Sequence, residues 1–178
     1  MRADTDADRL RQLLADLGRQ AGPGDRMYLS GGGSALLVGW RAYTHDVDVR
    51  IEAEDPDPLL RAIASLKDQL DINVELAGPL DFLPEPAGWR DHSTYVGRFG
   101  QLDVFHTDFT LQALAKLHRG FVQDLADVAA MLERKLTTAT AIRETFAELE
   151  PGLFRFPGLD PDRLRESVER LPALEPPE

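Results

Sequence analysis

Asp46 and Asp48 stand two residues apart in the strictly alternating run Asp46-Val47-Asp48-Val49-Arg50-Ile51-Glu52. On an extended backbone both carboxylates share one face, with Val47, Val49 and Ile51 on the other. Carboxylates so placed can grip a pair of divalent cations through oxygen. Upstream, Met27-Tyr28-Leu29 runs into Gly31-Gly32-Gly33, after which Ser34-Ala35-Leu36-Leu37-Val38 can restart as a helix. A strand, a glycine turn and a helix leave backbone N–H groups free to cradle phosphate oxygens, and Ser34 adds a hydroxyl. Each feature alone is weak, because solvated strand faces also carry paired acids and ordinary turns also use glycine. Within one short supersecondary unit they put metal ligands and phosphate cradle close enough to share a triphosphate. The P-loop, dinucleotide-binding, serine-elbow, His-Glu-x-x-His and EF-hand patterns are all missing from the sequence.

The elements that must position these residues follow from periodicity. Leu10, Leu13, Leu14 and Leu17 mark an amphipathic helix, with Thr5 and Asp8 as its capping box and Gly22-Pro23-Gly24 as its stop. Pro56 and Pro58 open a second helix with the stripe Leu59, Leu60, Ile63, Leu66 and Leu70. Ile72, Val74 and Leu76 supply a third strand, leaving Asn73 and Glu75 on its other face. A loop from Gly78 to Gly88 leads to strands Tyr95–Phe99 and Gln101–Phe105, a hairpin turning at Gly100. The remainder is helical: Leu111 to Leu117, Val122 to Leu132, Thr138 to Leu149, and a last helix opened by Asp160-Pro161. The expected fold is α+β, a mixed sheet flanked by helices. Its core spans 1–107, a helical part over 108–178 packs on that core, and an acidic, proline-bearing tail begins at about 172.

Glu75 and Asp103 are further strand carboxylates that could stand near Asp46 and Asp48. Glu75 is preferred, because its strand follows the first strand–helix–strand segment directly; a plain surface glutamate is its other reading. Zero cysteines exclude disulfides, a thiol nucleophile and thiolate metal sites. The net charge of −11, from 20 basic and 31 acidic residues, repels nucleic acid over most of the surface unless basic residues gather locally. Arg26, Arg41, Arg50, Arg90, Arg98, Lys116, His118 and Arg119 are the scattered candidates. No apolar run approaches the roughly 20 residues of a membrane span, and the charged start lacks a signal-peptide core, so a cytoplasmic protein is expected. His45 reads as a packing or loop-capping residue, and His92, His106 and His118 have no zinc-like spacing. Trp40 and Trp89 read as core or lid residues, Trp89 being placed where it could cover a nucleotide.

The run Ser30 to Gly39, closing on Thr44-His45-Asp46-Val47-Asp48-Val49, resembles the Gly-Gly-[Ser/Thr]…Asp-x-Asp signature of polymerase-β-type nucleotidyltransferases. Lys116-Leu117-His118-Arg119 and Asp124-Leu125-Ala126-Asp127 resemble a Lys-Leu-x-Arg…Asp-Leu-x-Asp segment of a bacterial branch. That branch includes AbiEii-like and MenT-like toxins of type IV toxin–antitoxin systems. By themselves these four charged residues read as a surface ion-pair network. The resemblance implies instead that Lys116 and Asp124 complete an active site, with Arg119 and Asp127 supporting. It implies a polymerase-β-like sheet, Mg²⁺ or Mn²⁺ as cofactor held by Asp46 and Asp48 with Glu75, and an NTP substrate held by Gly32, Gly33, Ser34 and Arg50. The expected activity is transfer of a nucleoside monophosphate from the NTP to an acceptor. The relatives' acceptor is RNA, notably the 3′ end of tRNA, and a cognate antitoxin is the implied protein partner. The rival readings are a non-catalytic interaction module or antitoxin-like partner, and transfer to a protein side chain or a small molecule.

Overall fold

Alternation dictates the central strands. In the computed structural model, which describes residues 2–171, β1 (Arg26–Ser30) and β2 (Asp46–Glu52) are antiparallel neighbours. The acidic tail expected from about 172 lies outside the described residues. Between the two strands lies α2 (Gly31–Val38), and α1 (Ala7–Gly18) precedes them. After β2 come α3 (Asp57–Gln69), β3 (Asn73–Glu75), the single-turn α4 (Trp89–His92), and strands β4 (Thr94–Phe99) and β5 (Leu102–His106). The sheet order is β3-β2-β1-β5-β4, with β1–β5 and β2–β3 parallel and β4–β5 antiparallel. The fold is therefore α+β with a mixed sheet flanked by helices.

The chain divides into two compact units, Met1–Gly78 with Ser93–Thr107, and Pro79–His92 with Asp108–Glu178. The first unit holds the sheet. Its core joins Leu10, Leu13, Leu14 and Leu17 of α1, Leu59, Ile63 and Leu66 of α3, and the apolar strand positions Met27, Leu29, Val47, Val49, Val74, Leu102 and Val104. One sheet face is thus buried under helices, and the polar face carries Asp46 and Asp48. The second unit is helical. In it α5 (Phe109–Arg119) packs against α6 (Val122–Glu133), α7 (Ala139–Leu149) and α8 (Pro161–Glu169), with Asp160 capping α8 as its sequence suggests. Trp89 is buried in this unit, its Nε1–H donating to Glu85 Oε1 at 2.8 Å, so it is a core residue and not a lid. Among the described residues no helix is long and apolar enough to cross a membrane.

Three local expectations are corrected. β3 is shorter than expected, and Leu76 beyond its end is exposed. α2 starts at Gly31, three residues before Ser34, because glycines without side chains let its first turn lie against Thr44 and Val47. The cap of α1 is Asp6, whose carboxylate accepts from Arg9 N–H at 2.8 Å, whereas Thr5 pairs with Thr44 in an isolated antiparallel bridge. Thr5 Oγ1 is buried without a partner among the described residues. A side-chain N-cap contributes about 1 kcal/mol, while an unpartnered buried hydroxyl costs a similar amount. Urea denaturation should therefore show Asp6→Ala losing about 1 kcal/mol and Thr5→Val losing nothing or gaining up to about 1 kcal/mol. A large loss for Thr5→Val would restore Thr5 as the cap.

Candidate functional site

The register of the sheet assembles the polar face row by row. Ser30 lies opposite Asp48, and Asp48 lies opposite Glu75, so the strand end before the glycines, the acidic pair and the preferred third carboxylate form one row. Asp46 lies opposite Asn73. The Asn73 amide donates to Asp46 Oδ1 at 2.6 Å and reaches Glu75 Oε1 at 3.4 Å, so one side chain orients both carboxylates. Asp46, Asp48 and Arg50 are half-buried and Glu75 is exposed. Arg50 follows on the same face, 3.8 Å from Glu52. Asp103, the rival third carboxylate, is two strands away in the row of Arg26 and is clamped by Arg98.

The glycine turn meets this row directly. Gly31, the first residue of α2, has φ +56°, and a Cβ built on it would lie 2.6 Å from Asp48 Oδ2. Only glycine combines that backbone with so close a carboxylate. A Cβ on Gly32 would lie 1.8 Å from Thr44 Oγ1, a hydroxyl itself bonded to Asp46 O at 3.0 Å. Gly33 faces the core against Val47 and Leu29. The first turn of α2, Thr44 and the Asp46–Asp48 segment therefore hold one another. Ser30 caps no α2 N–H with its side chain. It ends the polar face of β1 beside Asp48, a position that parity with Tyr28 and Arg26 makes readable. Nothing in the sequence distinguishes Gly31 from Gly32 and Gly33.

Ser34 is placed in the interior, not at the open end of the helix. It is 0% exposed, and its hydroxyl donates to Leu29 O at 3.1 Å, leaving the oxygen to accept from His106 Nδ1–H at 3.0 Å. It ties α2 to β1 and β5. Burial pushes the His106 imidazole down from 6.5 to about 4.

A divalent cation needs oxygen donors, and Mg²⁺ commonly takes only one or two protein carboxylates, filling its shell with substrate phosphate and water. Asp46 and Asp48 fit that donor set. Among the described residues no three of His, Asp and Glu stand close enough to hold a metal ion by themselves.

Lys116 and Asp124 belong to the helical unit and form a cluster of their own. Lys116 is 4% exposed, and its Nζ donates to Asp127 Oδ2 at 2.6 Å and reaches Asp124 Oδ1 at 3.5 Å. Arg119 donates to Asp124 Oδ1 at 2.6 Å. Asp127 is 0% exposed, so the network is buried and not a surface one, and Asp127 is the shorter partner of Lys116. Asp124 Oδ2 is buried with no partner among the described residues.

No family model, no curated protein and no solved structure matches this chain.

Two stability tests follow. Removing Lys116 takes the short ion partner at 2.6 Å from fully buried Asp127, while Asp124 keeps Arg119, and breaking such a buried pair costs about 3–5 kcal/mol. Chemical denaturation of Lys116→Met should show a loss of that size, and a loss below about 1 kcal/mol would mean that the cluster opens to water in solution. The unfolded His106 takes up its proton near pH 6.5 and the folded one only near 4. Its contribution is therefore complete above pH 6.5 and lost as pH falls from there to about 4, roughly 3 kcal/mol in all. His106→Asn should flatten the stability–pH curve in that window relative to wild type, and parallel curves would show that the imidazole is solvated.

Proposed function

We propose that this chain is a metal-dependent nucleotidyltransferase that moves a nucleoside monophosphate from an NTP to an RNA acceptor. One observation carries the reading: the glycine-started helix and the paired carboxylates converge, with Gly31 set against Asp48 and Ser30 beside it in register. A helix N-terminus favours phosphate, and adjacent carboxylates favour the cation that a triphosphate carries.

In the proposed reaction an acceptor hydroxyl oxygen attacks the α-phosphorus in line. The bond to the bridging oxygen breaks, pyrophosphate leaves with its electron pair, and the hydroxyl proton passes to solvent water. Mg²⁺ or Mn²⁺, held by Asp46 and Asp48, would supply neutralisation of the phosphate charge. The protein's own part is positional. Asn73 holds Asp46 by its Oδ1, Thr44 braces the strand entry, and the first turn of α2 presents backbone N–H groups toward the phosphates. Arg50, one row along β2 from Asp48, is placed to neutralise a phosphate or the departing pyrophosphate. Glu75 stands as the accessory carboxylate, since it neighbours Asp48 while Asp103 is committed to Arg98. The buried ion pairs account for Lys116 and Asp124 without a nucleotide, so the proposal rests on the sheet unit. The type IV toxin context and a cognate antitoxin remain part of it through the resemblance of the motifs.

The test is incubation with each α-labelled NTP, Mg²⁺ and total RNA, total protein or small-molecule acceptors. Wild type should label RNA, and Asp46→Ala/Asp48→Ala should lose the label by at least about 10³-fold, the scale expected when transition-state charge stabilisation is removed. Label in protein or a small molecule would redirect the acceptor assignment. Equal labelling by both forms, or none with any acceptor, would sink the catalytic reading in favour of a non-catalytic module.

A further inference from the structure

The polar sheet face continues beyond the acidic row. The next row is Arg50, Tyr28, Phe105 and Tyr95, and the row after it is Glu52, Arg26, Asp103 and Arg98. The aromatic rings form a graded stack. Tyr28 is 1% exposed and stacks on half-buried Phe105 at 5.3 Å and 21°, while Tyr95 leans on Phe105 at 5.2 Å and is 55% exposed. The outermost ring of a buried stack thus stands open to solvent.

A backbone irregularity sets this ring in place. Tyr95 and Arg98 are three residues apart and would point to opposite faces of a regular strand. The register of β4 shifts between Tyr95 and Gly97, so both fall opposite residues of one face, Phe105 and Asp103. There Asp103 clamps both side chains. Arg98 Nε and Nη2 donate to its two oxygens at 2.9 and 2.7 Å, and Tyr95 donates its hydroxyl to Oδ1 at 3.1 Å. The Arg98 hydrogen bonds hold the Asp103 carboxyl below its usual range, so the clamp stays ionised at neutral pH. Arg26 lies 5.9 Å from the Phe105 ring centre. In these two rows of a chain of net charge −11, Arg98 is paired with Asp103 and Arg50 lies 3.8 Å from Glu52, so three arginines against two carboxylates leave one net positive charge beside the exposed aromatic ring.

We infer that Tyr95 and Phe105, flanked by Arg26 and Arg98, form a stacking platform for an unpaired base of a single-stranded RNA. A half-exposed ring beside arginine matches a base with its phosphate, since stacking supplies sequence-tolerant affinity and the net positive charge of these two rows attracts the backbone. A duplex would leave the ring nothing to stack on. Strand spacing and rise put Phe105 about 12 Å and Tyr95 about 16 Å from Asp48. An RNA whose reacting end lies at the acidic row would therefore lay an upstream base on Tyr95. Only this last placement rests on the nucleotidyl-transfer reading.

The experiment measures anisotropy of a short fluorescein-labelled single-stranded RNA with the full chain, without NTP or divalent cation. Strands carrying one abasic nucleotide at each position in turn are compared with the intact strand. For wild type, one abasic position should weaken binding about tenfold. Tyr95→Ala should weaken the intact strand by a similar factor and erase the sensitivity to that position, while Tyr95→Phe keeps both. Wild-type indifference to every abasic position, binding of duplex as tightly as single strand, equal binding by Tyr95→Ala, or no binding at all would each overturn the platform. Asp46→Ala/Asp48→Ala, which takes two negative charges off the same face, should bind no more weakly than wild type and keep the dependence on Tyr95. Intact stacking without labelling thus sinks the catalytic reading alone, and intact labelling with binding indifferent to Tyr95 sinks the platform alone.

Discussion

The approach of the first turn of α2 to β2 is the constraint on which the sheet unit depends. A helix can start this close to a carboxylate-bearing strand only if its leading residues lack side chains. Gly31 must also take a left-handed backbone beside Asp48, and Gly32 must leave room for Thr44. Thr44 in turn pairs with Thr5, so the N-terminal segment, the helix start and the entry to β2 are tied at one point. From there the antiparallel register runs down β1 and β2, alternating core residues with the polar row. The acidic pair is therefore carried on a strand fixed by the core on its other face and by the helix start at its entry, an arrangement that sets a site's geometry before a ligand arrives.

The two units handle charge by opposite rules. On the sheet face half-buried Asp46 is held by a neutral partner, Asn73, which orients the carboxylate without cancelling its charge, and Asp48 lies against the glycine turn. In the helical unit Lys116, Asp124 and Asp127 are buried and cancel one another, with Arg119 reaching in from a more exposed position. Charges removed from water demand such pairing, since desolvation costs several kcal/mol per ion. The first arrangement orients a carboxylate through a neutral amide, and the second uses charge to join α5 to α6. Ser34 and His106 show the same economy, spending a hydroxyl and a neutral imidazole on joining α2, β1 and β5.

Much of the fold was legible because period-2 and period-3.6 patterns record which face of each element is buried. Leu10 to Leu17 marked α1, Asp46 to Glu52 marked β2, and Asp160-Pro161 marked α8, each a local pattern with a local cause. Local patterns failed where tertiary partners competed. Thr5 looked like a cap, but its backbone was taken by Thr44 and the cap fell to Asp6. Ser34 looked like a phosphate contact, but a helix starting three residues earlier turned it inward.

The sequence by itself determined that two carboxylates share a strand face, that a glycine run precedes a short helix, and that Glu75 and Asn73 share a face of the next strand. Those facts need only backbone periodicity. Only the tertiary structure decided that Glu75 and not Asp103 neighbours Asp48, that Asn73 holds Asp46, and that Tyr95 and Arg98 share one face. It also decided that Lys116 and Asp127 are a buried pair. Strand order, register shifts and burial arise from contacts between segments far apart in the chain, and no spacing within one segment encodes them.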